Sequence, residues 1–278
     1  MKKITLTSLL FLVILSVNAQ NFTVGTFNLR LQNTSDVGNL WADRSNAVSD
    51  LIRFHDFDVL GTQEAFKNQL QDVLTALPDY VVYGKGRDDG KDAGEHSAIL
   101  YKKDKFELLN QGDFWLSETP EQPSLGWDAT CCKRICSWVL LKDKKTKKSF
   151  YVFNAHYDHQ GVIARKESSK LILAKIKEIA GNKPAIFMGD LNGNHSSDPY
   201  KIIAESNLLT DSYTQVKYPY ANNNSFQNFG KSVKGTAIID HVFVSKHFIT
   251  NKWGVLSDTY QGKYPSDHCP VLVKLALK

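Results

Sequence analysis

Several carboxylates, carboxamides and imidazoles of this chain stand where an apolar run stops. Residues 185–194 read AIFMGDLNGN: apolar residues run straight to Gly189, then to Asp190 and Asn192. Taking a carboxylate out of water is costly unless partners or a cation compensate it. The same arrangement recurs at four other run ends: Asn28, Gln63 with Glu64, His156 with Asp158 and His159, and Asp240 with Asp267 and His268. Singly, each has a plain structural reading, because Asp and Asn cap helices and open turns. The recurrence favours a site, since loops at the ends of rigid strands are where functional groups are held.

The residue types agree with one another. Glu64, Asp190 and Asp267 with Asn28 and Asn192 make an oxygen-rich set, suited to a hard divalent cation such as Mg²⁺, with Mn²⁺ as the alternative. His156, His159 and His268 add proton donors and bases. Carboxylate, amide and imidazole around a hard cation is what hydrolysis of a phosphate ester requires: neutralised oxygens, an oriented water and donors for the in-line geometry. Motifs for other chemistries are missing. There is no H-E-x-x-H, no G-x-S-x-G and no P-loop.

Arginine is scarce beside lysine, yet Arg30, Arg44, Arg134 and Arg165 all lie near these run ends. Arginine suits bidentate phosphate contact. For Arg44 and Arg165, near helix starts, packing and substrate contact weigh equally. Arg134, in a segment with Trp127 and little apolar period, is the better substrate contact.

The elements that must position these groups repeat. Residues 21–28 alternate like a strand, 42–55 have helical spacing with Ala47, Leu51 and Phe54 on one face, and 57–64 form a buried-type strand. Residues 149–156, 164–180 and 184–192 follow the same order of strand, helix and strand. The polar ends keep similar spacing: 36 residues from Asn28 to Glu64 and 34 from His156 to Asp190. Further strands are expected at 80–84, 96–101, 106–116, 135–141, 238–245 and 270–277. Many strands with few helices fit two sheets packed face to face with helices outside. A parallel dinucleotide-binding sheet fits less well, because no G-x-G-x-x-G follows the first strand.

Composition bounds the partners. The 278-residue chain is 42% hydrophobic, and no linker-like stretch divides it, so one domain over 20–278 is expected. Lys2 and Lys3, the apolar run 9–17 and the small-x-small end at Ala19 read as a signal peptide over 1–19, and hence as export to the periplasm or beyond. The formal charge of +5 falls to +3 without Lys2 and Lys3, too mild to argue for nucleic acid. The basic run 142–148 contains no aromatic residue and reads as a solvated hairpin tip. Cys131, Cys132, Cys136 and Cys269 allow three disulfide pairings; a bond between the adjacent pair would be strained, and the alternative is that some stay as buried thiols.

Taken in order, TFNLR (26–30), GTQEA (61–65), NAHYDHQG (154–161), GDLNGN (189–194), GTAIIDHVFVS (235–245) and YPSDHCPV (264–271) resemble the endonuclease/exonuclease/phosphatase superfamily, and in particular a secreted bacterial branch. The resemblance implies a deoxyribonuclease-I-like fold, a four-layer α/β sandwich with two central, mostly antiparallel sheets. It implies Asn28 and Glu64 as the metal-binding pair, Glu64 foremost, and Asp267 as a metal contact or orienting group. Asp190 would activate or orient the attacking water, with Asn192 positioning Asp190 and the phosphate. His268 with Asp240 would bind or protonate the phosphoryl group, and His156 would stand near the scissile phosphate. His159, Arg134, Asp158 and Arg165 complete the expected phosphate-binding set.

The expected activity is a metal-dependent phosphoesterase acting on a small or exposed phosphate ester, as a monomer without a stable membrane span. The alternatives are a secreted nuclease, a lipid phosphodiesterase and a catalytically silent binding protein. Residues 217–230, polar and aromatic, read as a substrate-side loop.

Overall fold

The apolar runs pair into two sheets of six strands each. The computed structural model describes residues 21–278 except 222 and 236, so the leader expected at 1–19 lies outside the described residues. The elements are β1 (Asn21–Asn28), α1 (Trp41–His55), β2 (Val59–Gln63), α2 (Lys67–Ala76), β3 (Tyr80–Tyr83), β4 (Ala98–Lys102), β5 (Phe106–Trp115), β6 (Ile135–Asp143), β7 (Ser149–His156), α3 (Val162–Ala180), β8 (Ala185–Asp190), α4 (Asp198–Ala204), β9 (Thr210–Asp211), β10 (Asp240–Val244), β11 (Phe248–Val255) and β12 (Val271–Leu277).

One sheet has the order β11-β12-β1-β2-β4-β3 and the other β5-β6-β7-β8-β10-β9. Each contains one parallel pair, β1 with β2 and β7 with β8; every other ladder is antiparallel. The helices α1 and α3 cross over between the parallel strands, as that connection requires. Apolar side chains of both sheets meet in a central core that includes Phe22, Phe150, Val242 and Val273. A second core joins α3 and α4 to the β7–β8–β10 face through Ile172, Ile203, Phe187 and Phe243. A third joins α1 and α2 to the other sheet through Val48, Ile52, Leu70 and Leu100. The result is the four-layer α/β sandwich. It explains the unbroken apolar runs, since β2 and β8 are buried on both faces.

The basic run lies where expected: residues 144–148 turn between β6 and β7, and Asp143 accepts hydrogen bonds from the backbone of Lys145 and Thr146. Other expectations change. Phe54 is 82% exposed, and α1 buries Leu51 with Val48 and Ile52, joined by Trp41 and Arg44. Leu51 starts that stripe correctly, but the helix turns its i+3 position to solvent and keeps the i−3 and i+1 positions inside. In α3, Ile172 and Ile176 are buried and Ala174 is exposed. Two helices and two strands carry little periodic signal. In α2 and α4 few apolar residues face inward, β9 has two residues, and β11 is broken by a register shift between Thr250 and Lys252. Cys131 and Cys132 are bonded to each other, against the strain expected of an adjacent pair, while Cys136 and Cys269 are buried thiols.

Candidate active site

The two parallel pairs end side by side, and the expected residues gather there. At the tip of β8 the chain needs Gly189: a Cβ there would sit 1.9 Å from the carbonyl oxygen of Ala155, so only glycine permits that approach to β7. Asp190 follows, 1% exposed. Its Oδ1 accepts the Asn192 N–H at 2.8 Å, and its Oδ2 accepts the Asn28 amide at 3.1 Å. His156 Nε2 and His268 Nε2 stand 3.6 and 3.7 Å from the same Oδ2. Burial, reinforced by Asp240, pushes the Asp190 carboxyl up to about 7, against the pull of His268 and of the Asn192 and Asn28 hydrogen bonds.

Asn28 joins the halves. Its Nδ2 also donates to Glu64 Oε1 at 2.9 Å, while its Oδ1 accepts the Arg30 N–H at 3.0 Å. In this geometry Asn28 turns its amide nitrogen, not its oxygen, toward the two carboxylates, so it positions acidic groups rather than offering an oxygen ligand. Glu64 Oε2 accepts from Leu31 N at 3.1 Å. Arg30, Glu64 and Asn192 all adopt left-handed backbone conformations, with φ of 58°, 66° and 46°. Such conformations cost non-glycine residues of order 1–2 kcal/mol and cluster where geometry is imposed.

Burial outweighs all else at His156, and Arg134 and Arg87 add to it, holding the ring neutral well below the usual histidine range. Arg134 can only donate, and its Nη1 lies 3.1 Å from His156 Nδ1. Nδ1 is therefore the accepting nitrogen, while Nε2 faces Asp190 Oδ2 and lies 3.2 Å from the Asn192 amide nitrogen. Arg134 Nη2 fixes His159 in the same way, 2.9 Å from Nδ1. Asp158 lies beneath, 3.5 Å from Arg134 Nε, and its Oδ1 accepts from the backbone N–H groups of Gln160 and Gly161 just before α3. Asp158 thus holds the arginine rather than facing the cleft.

At His268 burial works against the charged ring, but Asp240, 2.9 Å from Nδ1, together with Asp190 and Asp267 outweighs it. The ring is held protonated well above the usual range. These groups line a cleft of about 470 Å³ with Arg30, Glu64, Asp267 and His159. Arg165 is not among its lining residues; it donates to the Asp158 carbonyl at 3.1 Å, a packing role. Arg44 is likewise structural, buried and donating to the carbonyls of Leu29, Arg30 and Pro265. From the loop 217–230, Phe226, Asn228 and Phe229 reach the cleft.

Sequence reading missed Arg87 and Glu95. They pair at 2.6 Å, and Glu95 lies 3.8 Å from His156 Nδ1. Burial pushes the Glu95 carboxyl up to about 7 against the pull of Arg87. Both sit in the glycine-rich loop between β3 and β4, outside any apolar run end; the scarcity of arginine was the available signal.

A divalent cation fits the acidic corner. Glu64 and Asp267 face one guanidinium, Arg30, which reaches neither within hydrogen-bond distance (3.9 and 3.7 Å). Burial raises the Asp267 carboxyl and Glu64 reinforces it, against the pull of His268, Arg30 and Arg44, so a cation between the two acids would stabilise both.

A four-layer sandwich with a His–Asp pair and buried acids at the joined strand ends defines a deoxyribonuclease-I-like hydrolase scaffold. The profile of the Endonuclease/Exonuclease/phosphatase family matches residues 25–268, and the chain belongs to that family. A mannosyl-6-phosphatase from Bacteroides thetaiotaomicron is 46% identical, with a TM-score of 0.89 over 92% of this chain and 100% of that one. A family protein from Bacteroides vulgatus is 37% identical, with a TM-score of 0.89 over 93% and 100%. An uncharacterised protein of Acanthamoeba polyphaga mimivirus is 26% identical over 84% of this chain and 91% of its own length.

Proposed function

We propose that this chain is a divalent-cation-dependent phosphoesterase that hydrolyses a small phosphate ester, a sugar phosphate first among candidates. The observation that carries the reading is Asp190: a buried carboxylate, held at both oxygens and flanked by a neutral and a protonated histidine at 3.6 and 3.7 Å. The sugar-phosphate choice rests on the 46% identity to the mannosyl-6-phosphatase. The mild net charge weighs against a duplex substrate, whose binding leans on many phosphate contacts.

Each residue has a part in this mechanism. Asp190 orients the attacking water and takes its proton, with a carboxyl tuned close to neutral pH, where a general base works best. His156 donates its Nε2 proton to a phosphoryl oxygen. Protonated His268, steadied by Asp240, donates to the phosphoryl group and can supply a proton to the leaving oxygen. Arg134 pairs with Nδ1 of both His156 and His159, which leaves Nε2 of each ring to carry its proton. Glu64 and Asp267 would hold a cation, Mg²⁺ or Mn²⁺, which would neutralise phosphoryl charge and sharpen the water's acidity. The signal-peptide-like sequence of residues 1–19 supports a site of action outside the cytoplasm, and the proposed enzyme acts as a monomer.

Phosphate release from mannose 6-phosphate and glucose 6-phosphate with Mg²⁺ or Mn²⁺ tests the proposal, beside DNA, RNA and phospholipid panels. Release that chelator removes and Asp190→Ala abolishes is expected. Turnover that persists in chelator, or that occurs on nucleic acid alone, would overturn it.

A further inference from the structure

Behind the cleft, on the α4 side of the β8–β10–β9 sheet, a second group of ligating atoms converges that the hydrolytic mechanism does not use. Along β10, Asp240 faces the cleft and the next residue, His241, faces the opposite side. There His241 meets Asp211 of β9 and His195 from the loop after β8. One carboxylate oxygen and one ring nitrogen from each histidine lie within 4.8 Å of one another.

Three details make this more than crowding. His241, 1% exposed, lies with Nε2 2.9 Å from the carbonyl of Gly193, so that nitrogen must carry the proton. Its Nδ1 turns toward Asp211 Oδ2, 3.9 Å away. His195 Nε2, itself buried, lies 3.5 Å from the same oxygen, at the outer limit of a hydrogen bond. Asp211 is itself a firmly charged carboxylate, held by the Tyr200 hydroxyl at 2.9 Å and the Tyr213 N–H at 3.0 Å. Ring nitrogens that face a carboxylate in a buried site call for protons or a cation between them. A carbonyl accepting the far N–H of a ligating histidine is also the usual support of a metal-bound ring.

We infer that His195 Nε2, Asp211 Oδ2 and His241 Nδ1 form a zinc site, distinct from the acidic corner of the cleft. Tetrahedral zinc, with bonds of about 2.0–2.2 Å, sets its ligand atoms about 3.3–3.5 Å apart, beside 3.5 and 3.9 Å from Asp211 Oδ2 to His195 Nε2 and His241 Nδ1. His195 is one-third exposed, which leaves a path for the metal and room for a fourth, water ligand. The two nitrogens select zinc over Mg²⁺, which prefers oxygen. Its service is structural. Gly193 and His195 belong to the loop that carries Asp190 and Asn192, so a metal there ties that loop to the back of the sheet.

Zinc content of the purified protein, measured after loading with Zn²⁺ and washing in excess Mg²⁺, tests this. About one Zn²⁺ per chain is expected in the wild type and in Glu64→Gln, and less than a tenth of that in His195→Ala. His195→Cys, which restores a ligand, should recover most of the zinc. Zn²⁺ should raise the melting temperature of wild type and His195→Cys but not of His195→Ala. Equal zinc in wild type and His195→Ala, loss of zinc in Glu64→Gln, or no zinc in any of them would overturn the site. In the last case the cluster is a set of protonated histidines around Asp211.

Discussion

The two halves of the molecule share one plan and divide its chemistry. In each sheet a hairpin lies beside the parallel pair, and a short helix and edge strand precede the strand on the pair's other side. The first half closes its sheet with β11 and β12 from the end of the chain. Equivalent positions follow from the ladders: Asn28 opposes Gln63 as His156 opposes Asp190. Carried two residues past its last pair, β1 sets Asn28 beside Cys269; carried one past, β7 sets His156 beside Ile135. His268 and Arg134 therefore hold the same place in the two halves. The equivalents differ in use. Asp190 faces the cleft, whereas Gln63 is buried and donates to Asn154 at 2.7 Å and Thr26 at 2.9 Å, locking the sheets together. The first half advances its carboxylate one residue, to Glu64. The lesson is that one strand-end plan can supply either a reacting group or a fastening, depending on which way the last residue turns.

If the second half carries the proton chemistry, Asp190→Ala should lower kcat/KM for the active phosphate ester by about 10³-fold or more, the scale of lost base and electrostatic catalysis. Gln63→Ala should instead act mainly through stability. Steady-state kinetics beside urea titrations would break the comparison if Gln63→Ala matched Asp190→Ala in kcat on a stably folded protein. Arg134→Ala removes the donor that fixes His156 and His159, with an expected loss of about 10²-fold in kcat/KM. Arg134→Lys should recover little of it, because one ammonium cannot serve two rings. Full recovery with lysine would reduce Arg134 to a point charge.

The fastening has its own test. Asn154 donates to the carbonyls of Thr62 and Ala98 across the sheets at 2.9 and 2.8 Å. Asn154→Ala leaves these buried groups unpaired and should destabilise the fold by about 2–4 kcal/mol in denaturant unfolding, with a smaller effect on kcat. The smallest expected effect concerns Glu95, whose folded-state carboxyl sits at about 7. A carboxyl raised above its unfolded value binds more protons in the native state, so it withdraws stability as pH rises from about 4 toward 7. Glu95→Gln should therefore gain melting temperature over wild type at pH 8 and lose that advantage at pH 5. An advantage independent of pH would mean that Glu95 does not titrate in this window.

Much of the site was legible because strand ends and motif order are local. Asp190, Glu64, His156 and His268 were found as polar residues at run ends, and the structure brings them together. Arg165 and Asp158 were adjacent to the same motifs but turn to support, a matter of side-chain direction that adjacency does not contain. Arg87 and Glu95 escaped because their loop folds back over the cleft from between β3 and β4.

The sequence by itself determined the apolar runs, their helical or strand periods, and the polar residues that terminate them, because these depend on neighbours in the chain. Tertiary structure alone decided that β11 and β12 complete the first sheet and that Gln63 fastens while Asp190 faces the cleft. It also decided that His195, Asp211 and His241 meet behind the cleft. Those outcomes depend on which distant strands pair and which face each side chain turns to, and a shift of one residue would reverse them.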